Sequence, residues 1–461
     1  MTAPYVELHL HTAFSFLDGA SLPEEVIGRA ADFGYHALAV TDHDGLYGAM
    51  EFARAAHAAG ITPIIGAELT LADETHLTLL AESAAGYANL CRLLTAACRG
   101  PHPDPLAAIA NHPGGGNPAA RRPRLDPALL PAHAEGLILL TGCRQGRLAR
   151  LIDAGEPHAA AAELRQYIAW FGPANVAVEL QHNLVHGDAR RVRALADLAA
   201  AAGVAAVATG NVHYHRRERH RLQDVLVAIR QRTTLDGAHR FRRPNAEFAL
   251  QPPAVMAERF ARYPDAIRAT LDLAERCAAF DLTRDLAYRF PAYATPTAET
   301  PDAYLARICW EALSARYADR FEEAASRLAA ELALIAKHGL AGFFLLYRDL
   351  LDLAREVAAE VRGPDAPAAT LPPGRGRGSS VGSIVCYLIG LSHIDPLAHN
   401  LMLGRFLNEE LSSVPDIDLD FPREIREKLI ERVYERYGAD HAALVCAFPT
   451  YRLRSAVREV G

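Results

Sequence analysis

The sequence lacks long apolar runs and closely spaced cysteines. It contains no stretch of about 18 consecutive apolar residues, the length at which a run becomes a candidate transmembrane helix, so we expect no membrane-embedded segment. The first residues include Glu7, His9 and His11, where a secretory signal would need an apolar stretch. The cysteines are far apart, and none forms a CxxC pair. These absences predict a cytoplasmic protein with reduced cysteines.

Lysine is almost absent as well. Lysine and arginine together number 48, yet Lys337 and Lys428 are the only lysines. Because alanine is also abundant, this preference indicates a general composition bias, and clusters of arginine are weak evidence for nucleic-acid binding. The formal net charge of −7 is equally weak evidence against it, since nucleic-acid-binding proteins are often basic only locally. The length of 461 residues predicts two or three domains.

The first half of the sequence alternates apolar runs with amphipathic segments. Helical periodicity occurs in LPEEVIGRAADFG, GAMEFARAAHAAG and DARRVRALADLAAAAG. Between such segments lie the candidate strands VELHLHT, HALAVTDH, ITPIIGAELT, HLTLLAES, GLILLTGC, NVAVELQHN and VAAVATGNVHY. This alternation predicts an α/β fold, either a βα-barrel or a doubly wound sheet. Residues 101–131, which contain HPGGGNP, predict a surface loop.

The second half has a different pattern. Residues 253–361 are mostly helical, with segments such as RYPDAIRATLDLAERCAAF and SRLAAELALIAKHG. The stretch GPDAPAATLPPGRGRGSS, rich in proline, glycine and alanine, then begins a new unit. An apolar helix, IVCYLIGL, and the segment VPDIDLDFP follow it.

Side chains that bind metals recur at the ends of the predicted strands. His9 and His11 are two residues apart, so they share one face of a strand, while Val6, Leu8 and Leu10 face the other way. Neutral histidine is the commonest ligand for zinc and similar ions. In a parallel βα-barrel the carboxyl ends of the strands meet on one face, where these side chains would converge. The other candidates are Asp18, Asp42, His43, Glu68, His76, Cys143 and His213. A structural role is the commoner explanation for any one of them alone, but not for the set.

Three segments, HLHTAFSFLDGA, AVTDHDGLYGAMEF and GAEL, resemble the PHP domain found at the front of bacterial DNA polymerase III α-type enzymes. The resemblance implies a distorted βα PHP barrel that binds up to three ions, Zn²⁺ or Mn²⁺. The implied ligands are His9, His11, Asp18, His43, Glu68, His76, Cys143 and His213. Asn211 stands where the family often has aspartate, which predicts that one metal site is weak or empty. PHP domains are phosphoesterases or proofreading exonucleases in some relatives and structural in others, and both possibilities stay open.

Three aspartates alternate with apolar residues near the end of the sequence. Asp416, Asp418 and Asp420 would share one face of a strand, with Ile417 and Leu419 on the other. Like charges placed in this way repel each other, so the pattern favours a bound cation or a face open to water. Carboxylate oxygens suit Mg²⁺, and a pair of Mg²⁺ ions supports phosphoryl transfer. A solvated edge strand is the alternative explanation.

A glycine- and serine-rich loop lies upstream of these aspartates. In GRGSSVGS, glycines let backbone N–H groups approach a phosphate, Arg377 can form paired bonds to a triphosphate, and Ser379 and Ser383 add hydroxyl donors. The loop precedes an apolar helix whose N-terminus would favour an anion. It is not a Walker loop, because GK[ST] is absent, and a flexible linker is an equally good explanation.

In combination, GRGSSVGSIVCYLIGLSHIDPL, RFLNEE and VPDIDLDF resemble the palm of family C DNA polymerases. The resemblance implies template-directed nucleotidyl transfer with Mg²⁺, acting on a DNA primer-template and deoxynucleoside triphosphates. Asp416 and Asp418 would be two of three catalytic carboxylates and metal ligands, and Asp420 a neighbour without a direct metal role. The incoming nucleotide would contact Arg377, Gly378, Ser379 and Arg405.

The resemblance also implies a domain order. We expect a PHP barrel over residues 1–275, a partial α+β palm with helical segments over 276–447, and the start of a thumb over 448–461. The third carboxylate, the fingers and the clamp-binding region would lie beyond Gly461. We therefore expect an N-terminal fragment that polymerises poorly by itself and meets a sliding clamp only through the missing part.

Within the family, the segment TGNVHYH, with Asn211, favours the error-prone, damage-associated branch over the replicative one. Two other functions remain as alternatives to a polymerase. A free-standing PHP phosphoesterase or 3′–5′ exonuclease would not need the segment from GRGS to PDIDLDF. A non-enzymatic subunit that binds DNA or proteins would not need the retained metal ligands.

Overall fold

The computed structural model describes residues 4–99, 123–286, 292–296, 298–363, 374–410, 415–438, 440–443, 445 and 452–459. They form two compact units, Met1–Ala287 and Tyr288–Gly461. The fold is mixed α/β, which confirms the predicted class. The predicted domain limits at 275 and 447 stay predictions.

The first unit is built on a six-stranded sheet whose strands are neighbours in chain order. The strands are β1 (Ala37–His43), β2 (Thr62–Thr70), β3 (His76–Ala81), β4 (Leu137–Leu140), β5 (Val176–Gln181) and β6 (Ala205–Thr209). The sheet is parallel except at β3, which runs antiparallel to both β2 and β4. The reversal at β3 departs from a regular parallel βα-barrel, in keeping with the distorted barrel that the resemblance implies. Only residues 71–75 join β2 to β3, and a parallel crossover needs a dozen or more residues.

Helices follow most of these strands, as the sequence predicts. They are α1 (Pro23–Asp32), α2 (Ala49–Ala58), α3 (Ala84–Arg99), α4 (Arg147–Asp153), α5 (Pro157–Phe171), α6 (Asp188–Ala202), α7 (His220–Arg230), α8 (Pro253–Arg259) and α9 (Pro264–Cys277). In α1, Val26, Ile27 and Ala30 are buried, which is the apolar stripe expected of a helix that covers a sheet.

The N-terminal segment VELHLHT does not form the expected regular strand. Glu7 makes an isolated bridge to Leu38 of β1, and Leu10 makes another to Val212 beyond β6. The amide of Ala39 donates to the carbonyl of Glu7 at 2.9 Å. Because the segment divides its backbone hydrogen bonds between the two edges of the sheet, it lies between the first and last strands and closes the sheet toward a barrel.

One face of the sheet is apolar at one end and polar at the other. Ile64 and Leu80 pack in a cluster with Ala269 and Leu273 of α9. Further along the same face of β2 lies Glu68, because residues four apart on a strand point the same way. Val6 and Leu8 belong to this cluster, but Leu10 packs in the core on the other face, so the alternation predicted for these three residues does not hold.

The second unit is mostly helical, as predicted. Its helices are α10 (Pro301–Arg316), α11 (Phe321–Lys337), α12 (Ala341–Arg362), α13 (Ile384–Leu388), α14 (Arg423–Tyr437) and α15 (Leu453–Glu459). A short antiparallel pair joins β7 (Arg375–Arg377) to β8 (Asp418–Asp420). Within the predicted strand VPDIDLDFP, only Asp418–Asp420 form a regular strand. Leu305, Phe344 and Ile384 are completely buried in the core of the unit.

Parts of several predictions lie outside the described residues. The predicted loop at 101–131 is described only from residue 123, and Pro127–His133 forms a 3-10 helix there. Most of APAATLPPGR, before the glycine-rich loop, is not described, and the predicted thumb start is described only at 452–459.

No single helix in the described ranges has both the length and the apolar character needed to cross a membrane. Ala318–Lys337 and Ala341–Arg362 meet that test only as a pair, by length and composition alone, and are bent by 109° at the break between them.

Candidate metal centre and candidate palm site

The eight predicted metal ligands of the first unit form one connected cluster around Glu68. The Glu68 carboxylate lies 3.5 Å from Nε2 of His9 and 3.5 Å from Nε2 of His11. It lies 3.0 Å from Nδ1 of His43 and 3.4 Å from Nδ1 of His76. The structure therefore places four imidazoles around one buried carboxylate.

The other three predicted ligands extend this cluster on two sides. Asp18 Oδ2 lies 3.2 Å from Nε2 of His43 and 3.5 Å from Nε2 of His213. Cys143 Sγ lies 3.7 Å from Nδ1 of His76. The side near Asp18 and the side near Cys143 thus meet through the histidines that surround Glu68.

Strand direction explains this convergence. His43 and Glu68 are paired in the register of the parallel strands β1 and β2. His76 is the first residue of β3, and because β3 is antiparallel, its start lies at the edge where β1 and β2 end. The sequence segments had placed Cys143 and His213 at strand ends, but both residues lie in loops, after β4 and after β6 respectively.

Three histidines are held by groups outside the predicted ligand set. His9 Nδ1 lies 2.6 Å from Oε1 of Glu179, and His213 Nδ1 lies 2.9 Å from the carbonyl of Asn211. With Nδ1 bonded in this way, Nε2 of each ring is the atom that faces the cluster. His11 Nδ1 lies 3.1 Å from Ser15 Oγ, which donates to the buried Asp42 at 2.7 Å.

Sequence analysis missed Glu179 and Ser15 as supporting residues, and Asp42 was grouped with the ligand candidates. A signal for Glu179 was present: it is a carboxylate inside an otherwise apolar strand. Asp42 instead accepts hydrogen bonds from Ser15 and from the amide and hydroxyl of Thr12, so its role in the described structure is to hold the loop that carries Ser15.

The cluster has the chemistry of a transition-metal site. Glu68 Oε1 is fully buried and has no hydrogen-bond partner among the described residues. The Nε2 atoms of His9 and His11 lie 3.1 Å apart, an arrangement that a shared cation would stabilise. Three groups bring ligand atoms within 4.8 Å of one another: His9/His11/Glu68, His43/Glu68/His76 and His11/His43/His213. Nitrogen, oxygen and sulfur donors of this kind fit Zn²⁺ or Mn²⁺.

The three aspartates of the second unit alternate as predicted. Asp416, Asp418 and Asp420 are exposed, while Ile417 is buried and Leu419 is half-buried against the core. All three carboxylates are therefore on the open side of the segment. A solvent-exposed row of this kind avoids the cost of burying unpaired charge.

The glycine-rich loop lies directly beside these aspartates. In the register of β7 and β8, Arg377 is opposite Asp418. Its Nε lies 3.3 Å from Asp420 and 3.8 Å from Asp418. Gly378 and Ser379, which follow β7, are exposed on the same part of the unit. Two segments separated by about 40 residues in the sequence thus form one candidate site, held by antiparallel pairing.

Two family models match the chain, one in each unit. Residues 7–183 match the model of the PHP domain, and residues 303–461 match that of the bacterial DNA polymerase III alpha NTPase domain. The chain carries both domains. The resemblance to family C polymerases stated from the sequence is confirmed.

Named relatives align along nearly the whole chain. The chain is 40% identical to an error-prone DNA polymerase of Symbiobacterium thermophilum, in an alignment that covers 99% of the chain and 41% of that polymerase. It is 38% identical to an error-prone DNA polymerase of Mycolicibacterium paratuberculosis over 100% of its length, covering 40% of it. A DNA polymerase III subunit alpha of Treponema pallidum is 33% identical over 99% of the chain, which covers 38% of that subunit. The chain thus spans about two-fifths of the length of these relatives.

Electrostatics in the first unit reflect the dense packing of charge. Burial alone would lower the pKa of His9, but Glu179 and Glu68 raise it to about 10. Burial and the Arg243 guanidinium lower the pKa of His213 to about 4. Burial would raise the pKa of Glu68, yet the surrounding histidines hold it well below its usual range. The carboxylate of Glu68 therefore stays ionised, as a metal ligand must be.

The glycine-rich loop of the second unit differs from expectation at Ser383. Its hydroxyl is buried and donates to the carboxylate of Glu331, which also accepts from the amide of Ile384 at 2.9 Å. The start of α13 is therefore occupied by a protein carboxylate, and the prediction that Ser383 binds phosphate is wrong. Burial raises the pKa of Glu331 to about 7, although these hydrogen bonds oppose the shift.

Arg405, the remaining predicted nucleotide contact, is exposed. Within the part of the unit that the structure describes, it forms no ion pair with Asp416, Asp418 or Asp420. Residues 411–414, between Arg405 and the aspartates, are not described, so its proposed role depends on the sequence resemblance alone.

Proposed function

We propose that this chain provides the PHP domain and part of the palm of a family C DNA-directed DNA polymerase, on the error-prone branch. The observation that carries the proposal is the pairing of Arg377 with Asp418, which sets the glycine-rich loop beside a row of exposed carboxylates. Because the chain spans about two-fifths of its curated relatives, polymerisation and its substrates belong to this proposal.

The roles of the side chains follow from their surroundings. Asp416 and Asp418 are the proposed metal ligands, and Mg²⁺ bound there would supply charge stabilisation for phosphoryl transfer. Gly378 has a φ of +74°, a conformation that favours glycine, and it turns the chain immediately after Arg377. The amides of this turn and the hydroxyl of Ser379 are then available to a triphosphate, with Arg377 as its cationic partner.

Partners and setting follow from the same proposal. The substrates are a DNA primer-template and deoxynucleoside triphosphates, with any contact to a sliding clamp made outside this chain, in the cytoplasm. The error-prone assignment is supported by the names of the relatives from Symbiobacterium and Mycolicibacterium, both error-prone DNA polymerases, and by Asn211.

Nucleotide binding by this chain tests the proposal directly. A fluorescent deoxynucleoside triphosphate should bind in the presence of Mg²⁺, and Asp418→Asn should weaken this binding at least tenfold. Asp420→Asn is the matched control, because it removes one charge from the same exposed strand at a position without a proposed metal role. Equal loss in the two variants, or binding that does not depend on Mg²⁺, would contradict the assignment.

The ligand cluster supports a second activity, metal-dependent phosphoester hydrolysis by the PHP domain, with a 3′–5′ exonuclease as the specific form. The observation in its favour is the convergence of all eight ligands around Glu68. Hydrolysis of a chromogenic phosphate ester and of a 3′-labelled oligonucleotide, with Mn²⁺ or Zn²⁺, should be lost in His9→Ala. Metal binding without hydrolysis of either substrate would leave the PHP domain a structural metal site.

A further inference from the structure

One arginine lies inside the ligand cluster of the PHP domain. Nη2 of Arg243 donates to Nε2 of His213 and lies 3.4 Å from both carboxylate oxygens of Asp18. His213 and Asp18 are two of the eight implied metal ligands. The guanidinium group thus occupies the side of the cluster where these two residues would hold a cation.

Arg243 and a metal ion would compete for the same electrons. Because Nδ1 of His213 bonds to the carbonyl of Asn211, the lone pair of its Nε2 is the one that faces Arg243. A metal needs that lone pair as well. An imidazole nitrogen accepts one hydrogen bond or one metal ion at a time, so the two cations exclude each other at His213.

The surrounding residues hold Arg243 in this position. Its guanidinium carbon lies 4.6 Å from the ring centre of Phe248, which is 1% exposed. The carbonyl of Phe248 accepts from the amide of His213 at 2.8 Å, which ties the ring to the ligand it serves. The guanidinium is therefore positioned by packing as well as by charge.

Charge is distributed unequally across the cluster. On one side, Asp18 contacts two guanidinium groups, because Arg230 Nη1 also lies 3.4 Å from Oδ2 of Asp18. On the other side, the carboxylates of Glu68 and Glu179 form no ion pair with arginine or lysine in the described ranges. Asn211 adds no negative charge, and its buried Oδ1 has no hydrogen-bond partner among the described residues. A divalent ion is thus attracted to the Glu68 side and repelled from the Asp18 side.

We propose that Arg243 is a resident cation that takes the place of one metal ion at Asp18 and His213. The inference depends on the proposed metal binding by the PHP domain and specifies its stoichiometry. The groups His9/His11/Glu68 and His43/Glu68/His76 then bind two ions, and the group that includes His213 binds none while Arg243 is present.

Metal stoichiometry tests this proposal without reference to activity. The apoprotein is titrated with Zn²⁺, freed of unbound ion by gel filtration, and analysed for metal per chain. The wild-type chain should retain two equivalents and Arg243→Met should retain three. Methionine keeps an apolar stem over Phe248 while it removes the charge. Arg243→Lys, which keeps a cation, should retain two, and Arg240→Ala, an exposed neighbour, should behave as wild type.

The outcomes separate the two levels of the proposal. Three equivalents in the wild type, or no gain in Arg243→Met with an unchanged far-ultraviolet circular dichroism spectrum, would overturn the role of Arg243 and leave metal binding intact. Less than one equivalent in the wild type would overturn metal binding, and the role of Arg243 with it. If Arg243→Met does not fold, the wild-type stoichiometry and the Arg243→Lys variant still decide.

Discussion

The PHP domain and the second unit present their charged groups in opposite surroundings. In the PHP domain, Glu68 and its four histidine neighbours are held within the fold, and Glu68 is 1% exposed. In the second unit, Asp416, Asp418 and Asp420 face water. A buried charge needs a partner for nearly every polar atom, whereas an exposed charge is solvated. Protein contacts therefore fix the positions of the side chains in the buried site. In the exposed site, alternation along the strand is enough to place the three carboxylates on one side.

Removing the centre of the buried cluster should have the largest effect. In Glu68→Ala, the four histidines lose their shared carboxylate, and we expect Zn²⁺ affinity to fall by more than about 100-fold, because a ligand common to two metal groups is lost. Competition with a chromogenic chelator measures this. Glu74→Ala, at an exposed carboxylate, is the control, and an equal affinity in the two variants would argue against the cluster as the metal site.

The second-largest effect should come from a buried carboxylate in the other unit, Glu331, through its contribution to stability. Glu331 is a buried carboxylate in the second unit, and its pKa is raised from 4.5 to about 7. A raised pKa favours the protonated folded state, so the contribution of Glu331 to stability is complete below pH 4.5 and is lost as the pH rises through 7. At about 1.4 kcal/mol per pKa unit, the loss is roughly 3 kcal/mol.

Urea unfolding between pH 4.5 and 8 measures this dependence for wild type and for Glu331→Gln. Glutamine resembles the protonated acid, so the variant should lose the part of the pH dependence that comes from position 331. A wild-type profile that Glu331→Gln leaves unchanged would show that the buried carboxylate is not the titrating group.

The supporting shell of the buried site should have an intermediate effect. Glu179 orients His9 through Nδ1 and accepts from Gln181 Nε2 at 2.6 Å. Losing such an outer carboxylate typically costs about 10- to 100-fold in metal affinity. We expect this loss in Glu179→Gln, with one or more equivalents still bound at saturating Zn²⁺. A variant with wild-type affinity would show that His9 does not need this orientation.

The exposed site should show the smallest effect on stability. Arg377 and Asp420 form a pair whose side chains are 63% and 59% exposed. Exposed ion pairs contribute about 0–1 kcal/mol, so Arg377→Ala should change the free energy of unfolding by less than about 1 kcal/mol. The same variant should still lose nucleotide binding. A large loss of stability would show that the exposed ion pair contributes to the fold as a buried one does.

Much of both sites could be predicted from the sequence because local patterns carried the information. The spacing of His9 and His11, the alternation of Asp416 and Asp418, and the resemblance of their segments identified the candidate ligands. The direction of β3 could also be inferred, since the connection before it is too short for a crossover.

Other features depended on contacts between distant parts of the chain. Ser383 has the sequence context of a phosphate-binding hydroxyl, yet Glu331, 52 residues away, bonds to it. Glu331 itself lies in an amphipathic helix, where glutamate is usually exposed. Arg243 was one arginine among many in a sequence with a composition bias, and nothing local linked it to Asp18.

By itself, the sequence determined the candidate ligands, the α/β class and the resemblance to family C polymerases, since these depend on residue identity and short-range periodicity. The tertiary structure alone decided which groups became partners: Glu179 with His9, Glu331 with the start of α13, and Arg243 with Asp18 and His213. The physical reason is that burial makes an unpaired charge costly, and the fold supplies its partner from wherever the packed chain brings one near.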